Sequence, residues 1–160
     1  MDYYQLNQAI RQAEGPVVID HCLGQRFIGT ALGAGRSLTI HGVPGNAMGA
    51  YLDGGSIEAF GDVQEATGDT MNAGTIVVHG SAGDATGYSM RGGVIQGDVG
   101  YRAGIHMKSY GSKVPVLIVG GAAGSFLGEY QAGGLILVLG LGHEDRAPYN
   151  YFCGTGTLEP

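Results

Sequence analysis

The chain has 160 residues, which suits one domain with a real core, and 32 of them are glycine, one in five. Only 5 prolines and no three-residue glycine period exclude collagen, and 44% hydrophobic residues exclude low-complexity disorder. A net charge of −6, with 8 Lys and Arg scattered along the sequence, argues against nucleic acid, and no apolar run reaches the ~20 residues that span a bilayer.

In chain order, residues 4–14 are rich in helix formers. Leu6, Ile10 and Ala13 share a face, Asp2 can cap the start, and Gly15-Pro16 stops the run. The start Met1-Asp2-Tyr3-Tyr4 lacks the basic and apolar regions of a signal peptide, so a cytoplasmic protein is expected. Val17-Val18-Ile19 reads as a strand, and residues 24–35 lead into a repeat.

Three ungapped units follow, 35–53, 54–72 and 73–91, each of 19 residues. Their core signature is Gly-x-x-Gly-x-x-x-Gly, found at Gly42/Gly45/Gly49, Gly80/Gly83/Gly87, Gly97/Gly100/Gly104 and Gly121/Gly124/Gly128. The second unit has Gln64 in place of its middle glycine. The lead glycines Gly42, Gly61, Gly80, Gly97, Gly121 and Gly140 are spaced 19, 19, 17, 24 and 19 apart, so the fourth unit loses two residues and Ser109 to Pro115 inserts a bulge.

Each unit opens on a short apolar or alternating run, such as Leu38-Thr39-Ile40 and Ile76-Val77-Val78. These runs read as strands bounded by glycine turns, two strands per unit, with no room for a helix between them. The chain must then coil, stacking like strands about 4.8 Å apart. The expected fold is all-β: a right-handed parallel β-helix, a solenoid with rungs of about 19 residues and a short N-terminal helix.

Residues 19 apart should then be vertical neighbours. Leu38/Ile57/Ile76, Ile40/Ala59/Val78 and Leu52/Met71/Met90/Met107 form apolar columns, and Ala47/Ala66/Ala85 forms a column of small residues. Asn46/Glu65/Asp84 and Asp53/Asn72/Arg91/Lys108 should face water. One domain, 1–160, is expected, with a cap over 1–15, rungs over 16–142, and an irregular insert and incomplete last rung over 143–160.

These repeats, with the lead-in Gly24-Gln-Arg-Phe-Ile-Gly-Thr-Ala-Leu32, resemble the glycine-repeat domain at the C-terminus of the glutamate synthase large subunit and its stand-alone relatives. One of the subunits of formylmethanofuran dehydrogenase has similar repeats. The resemblance covers roughly residues 15 to 156. It implies a scaffold that holds catalytic parts together, without catalytic, cofactor-binding or metal-binding residues and without a cofactor. The implied partners are protein subunits of a multi-subunit oxidoreductase, namely flavin/iron–sulfur synthase and amidotransferase subunits, with no nucleic acid and no membrane. Three other readings stay open: a formylmethanofuran dehydrogenase-like complex, a homo-oligomeric β-helix module, and an independent enzyme.

The residue types that carry chemistry are few. His41 and His79 share a column with Phe60 between them, about 9.6 Å apart by rung spacing, too far to ligate one metal and better read as a stacked ring column. Asp20-His21-Cys22 and His143-Glu144-Asp145 with Cys153 hold ligand types at opposite ends of the solenoid, where neither a metal site nor a Cys22–Cys153 disulfide can close. An enzyme reading would use His106 or the Asp84/Glu65 column as acid and base. The His143 to Pro148 insert reads as a surface loop.

Overall fold

The computed structural model describes residues 2–141. Helix α1 (Tyr3–Gln12) is followed by seven strands: β1 (Val17–Leu23), β2 (Ser37–Val43), β3 (Asp53–Phe60), β4 (Ala73–Ala82), β5 (Val94–Val99), β6 (Val116–Val119) and β7 (Leu135–Val138). They form one sheet in sequence order, and every neighbouring pair is parallel. Parallel pairing of consecutive strands requires the chain to circle back each time, which gives a solenoid of about six turns. The final rung expected over 143–160 lies outside the described residues.

The 19-residue period sets the register. Leu38 pairs with Ile57, Ile57 with Ile76, and Ile76 with Ile95. These side chains point inward and are fully or almost fully buried, as are Ile40, Ala59 and Val78 one pleat on. The interior holds a sulfur-rich file as well: Leu52, Met71, Met90 and Met107 are each 0% exposed. Thioether side chains have no branch at Cβ and adapt to the narrow lumen between successive rungs.

The two irregular spacings have local causes. Val77 pairs with Gln96 but Ser81 with Asp98, so Gly97 alone spans what Val78-His79-Gly80 spans below it. The five extra residues lie between the Lys108–Ala132 and Val116–Leu135 contacts. There Tyr110 and Lys113 exchange both backbone hydrogen bonds, each 3.0 Å, and close a tight hairpin around Gly111-Ser112.

The expectation of two strands per rung is not met. Each rung has one strand, and beyond the glycine bend the ladder keeps at most two consecutive pairs, as in Cys22–Gly42 and Leu23–Val43 or Ser81–Asp98 and Ala82–Val99, or a single contact such as Val63–Ala82 and Val99–Ala123. The rest is a corner in which alternate residues are left-handed. In one rung these are Ala47, Gly49 and Tyr51, with φ of 62°, 68° and 58°, and in the next Ala66, Gly68 and Thr70, with φ of 57°, 70° and 53°. The alternation sends successive amides in opposite directions along the axis. Ala47 N–H donates to Glu65 O (2.8 Å) and Tyr51 N–H to Asp69 O (2.7 Å), while Gly49 N–H donates back to Ile28 O (2.8 Å). The corner thus keeps its backbone paired without being a strand.

The glycine triplet serves this stacking in two ways. At Gly45 a Cβ would sit 2.4 Å from Gly24 O, so the rung below forbids any side chain there. Gly49 instead supplies a left-handed residue facing the core, where a Cβ would meet Ile76 Cδ1 at 2.6 Å.

Helix α1 begins where Asp2 caps it, its carboxylate accepting from Gln5 N–H (2.8 Å). Ile10 is buried against the first rung, and so is Asn7, which the apolar pattern gives no reason to expect. Asn7 Nδ2 donates to Phe27 O (2.7 Å), and its Oδ1 accepts from Gly29 N–H (2.9 Å) and Thr30 N–H (3.2 Å). The helix therefore closes the first corner with a side chain that mimics the missing rung.

Met71→Ala is expected to cost about 2–5 kcal/mol of unfolding free energy in urea titrations, and Met71→Leu under about 1.5 kcal/mol. At the corner the sign reverses. A left-handed non-glycine residue costs roughly 1–2 kcal/mol and glycine's extra chain entropy about 0.5–1, so Ala66→Gly should raise the urea midpoint.

Candidate functional site

The side chains with chemical potential lie on the outer wall of the solenoid. His41, Phe60 and His79 follow one another up adjacent strands β2, β3 and β4. Their rings stack, with centroids 5.1 Å apart for His41–Phe60 and 4.3 Å for Phe60–His79. His79 Nε2 also lies 2.8 Å from Glu58 Oε1, both groups being exposed. Phe60 stands between the two imidazoles, so they do not converge on one point. The column is a stack of flat groups at rung spacing, as the sequence reading expects.

Asp20, His21 and Cys22 do not form a cluster. Asp20 and His21 are exposed, whereas Cys22 is buried in β1. Burial pushes the Cys22 thiol above its ordinary pKa, partly opposed by a hydrogen bond from the Gln25 backbone. The thiol itself donates to Gln25 Oε1 (3.3 Å). His143, Glu144, Asp145 and Cys153 lie outside the described residues. Among the described residues no group of three His, Cys, Asp or Glu is placed to hold a metal ion.

The acid–base candidates are engaged elsewhere. Asp84 Oδ1 accepts from Tyr101 N–H on the rung above (2.9 Å), and Glu65 Oε2 accepts from Asn46 Nδ2 (3.3 Å). His106 is stacked on Tyr130, with centroids 5.1 Å apart, and edge-on to Tyr88 at 5.9 Å. No hydrogen bond or ion pair joins His106 to Asp84 or Glu65 among the described residues.

Asp84 belongs to a set that sequence reasoning passed over. Asp62 accepts from Ser81 N–H (2.9 Å), and Asp98 from Gly121 N–H. Each of these carboxylates reaches one rung up to an amide beside a glycine. The space it occupies is what a side chain at Gly80, Gly100 or Gly121 would need. The signal in the sequence is an Asp directly after a glycine: Gly61-Asp62, Gly83-Asp84 and Gly97-Asp98. Such carboxylates replace backbone acceptors where the ladder is interrupted.

The far edge carries a second side-chain assembly. Arg102 Nε pairs with Glu129 Oε2 at 2.8 Å, and its guanidinium lies 4.9 Å from the Tyr101 ring centroid and 5.6 Å from that of Phe126. This bracket ties two successive rungs together.

Among the described residues the candidate groups thus lie along a wall. Its glycine frame matches a known family: residues 5–147 correspond to the GXGXG motif. The chain belongs to the GXGXG family. This is the glycine-repeat domain of glutamate synthase-like proteins. The chain is similar to the uncharacterized protein MJ1350 of Methanocaldococcus jannaschii, 50% identical over 151 residues. The match takes in 88% of this chain and 58% of that protein, so the chain spans under two thirds of the relative's length. No solved structure matches it. No helix among the described residues is long and apolar enough to cross a membrane.

In a Cys153→Ser background, Cys22 should react with a thiol reagent at near-neutral pH far more slowly in the native protein than in urea. The folded thiol titrates above the unfolded one, so its contribution to stability is complete below the ordinary thiol value of 9.0 and fades as the pH rises through the folded value. Urea midpoints of this variant and of Cys22→Ala/Cys153→Ser, followed from pH 7 upward, check the sign.

Proposed function

We propose that the chain is a cytoplasmic, non-catalytic scaffold subunit or domain of a glutamate synthase-like oxidoreductase complex. It holds amidotransferase and flavin/iron–sulfur synthase parts in fixed relation. The observation that carries this reading is the GXGXG frame itself, stacked over seven parallel strands in sequence order. Rigid rungs paired at every corner make a body that keeps its shape under load from several sides. The conspicuous carboxylates support the same reading, since Asp62, Asp84 and Asp98 are committed to holding successive rungs together.

The test is purification of the tagged chain from its native host under mild salt. A partner carrying the visible absorption of flavin or iron–sulfur centres is expected, with glutamine-dependent activity that the isolated chain lacks. Recovery of the chain alone, or activity in the isolated chain abolished by Asp84→Asn with the fold intact, would overturn the proposal.

A further inference from the structure

The charges are not spread evenly in space, although the basic residues look scattered along the sequence. From Ser37 to Met90 there is no Lys or Arg, while Asp53, Glu58, Asp62, Glu65, Asp69 and Asp84 fall in that stretch. Immediately above it come Arg91, Lys108 and Lys113, which include both lysines of the chain.

The two-residue deletion and the hairpin bring these three together. Arg91 N–H donates to Met71 O and Lys108 N–H to Met90 O, which sets Lys108 one rung above Arg91 in the same column. The hairpin then folds back so that Lys113 Cβ is 3.6 Å from where a Cβ on Gly92 would be. Tyr110 is the common neighbour: Lys108 Nζ is 5.2 Å and Arg91 Cζ 6.0 Å from its ring centroid.

Like charges on adjacent rungs repel. Among the described residues the ion pairs are His79–Glu58 and Arg102–Glu129, so none of these three cations has a carboxylate partner there. The ladder resumes in register on both sides of the hairpin, so stacking does not require the five extra residues. They also expose Tyr110 (49%) and Val114 (51%) beside the cations. Tyr and Arg are residue types that anchor protein interfaces, and the two lysines beside them add positive charge that selects an acidic partner. Three cations on an acidic body are too few to track a nucleic-acid backbone.

We infer that the hairpin over 108–115, with Arg91, is a docking knob for a carboxylate-bearing segment of a partner protein. Its acidic groups seat between Arg91, Lys108 and Lys113, and an apolar residue beside them covers Val114 and Tyr110. This deepens the scaffold reading and rests on it.

The two lysines make the test direct. In the complex purified from the native host, a zero-length carbodiimide reagent joins amines only to carboxylates in contact, and the chain's side-chain amines are all in the knob. Mass spectrometry should find Lys108 or Lys113 linked to an Asp or Glu of another polypeptide, and the link should weaken at high salt. Lys108→Gln/Lys113→Gln should retain at least about tenfold less partner, with an unchanged urea midpoint, since both side chains are exposed. Lys108→Arg/Lys113→Arg should keep the partner and lose the link. Full retention by the glutamine variant, no link in an intact complex, or linkage to a second copy or to a nucleic-acid phosphate would sink the docking knob while leaving the scaffold reading in place. Recovery of no partner at all would remove both.

Discussion

Everything in this molecule depends on satisfying backbone amides across rungs about 4.8 Å apart, at corners as well as along strands. Strands solve half of each rung. The corner must solve the other half while turning the chain, and it does so by alternating left-handed residues, so that amides point up and down in turn. That demand explains the glycine content better than flexibility does. Some glycines provide the left-handed conformation, and others vacate the space that the rung below already fills.

The same constraint orders the side chains. Once the rungs are locked in register, like positions stack into columns. Those facing inward become an aliphatic wall and a methionine file, and those facing outward become stacks of rings or rows of carboxylates. Residues with catalytic potential are drawn into this order. Asp84 serves the amide of Tyr101, and His106 lies against Tyr130. A wall of this kind presents surfaces more readily than it encloses a substrate, in keeping with the scaffold role proposed above.

Much of the fold was legible in the sequence because a 19-residue period is a statement about vertical neighbours. The Leu52–Met71–Met90–Met107 file follows from counting, even across the two-residue deletion. The Ala47/Ala66/Ala85 column was legible but misread. It continues as Arg102 and Phe126, so the position requires a backbone shape and not a small side chain. Asn7 was invisible because a polar residue on a helix face carries no apolar signal, and only the open corner at Phe27–Thr30 gives it a task. The gathering of Arg91, Lys108 and Lys113 was likewise hidden. It depends on a shortened rung and a hairpin acting together, and neither has a counterpart in the repeat.

The uniform step between rungs also makes the molecule a ruler. From β1 to β7 the wall rises six steps, or about 29 Å. Adding or removing a whole repeat would change that height by one step without altering any column. Length in such a body is therefore quantised, and the distance between its first and last strands can change only in single increments while the interior chemistry stays the same.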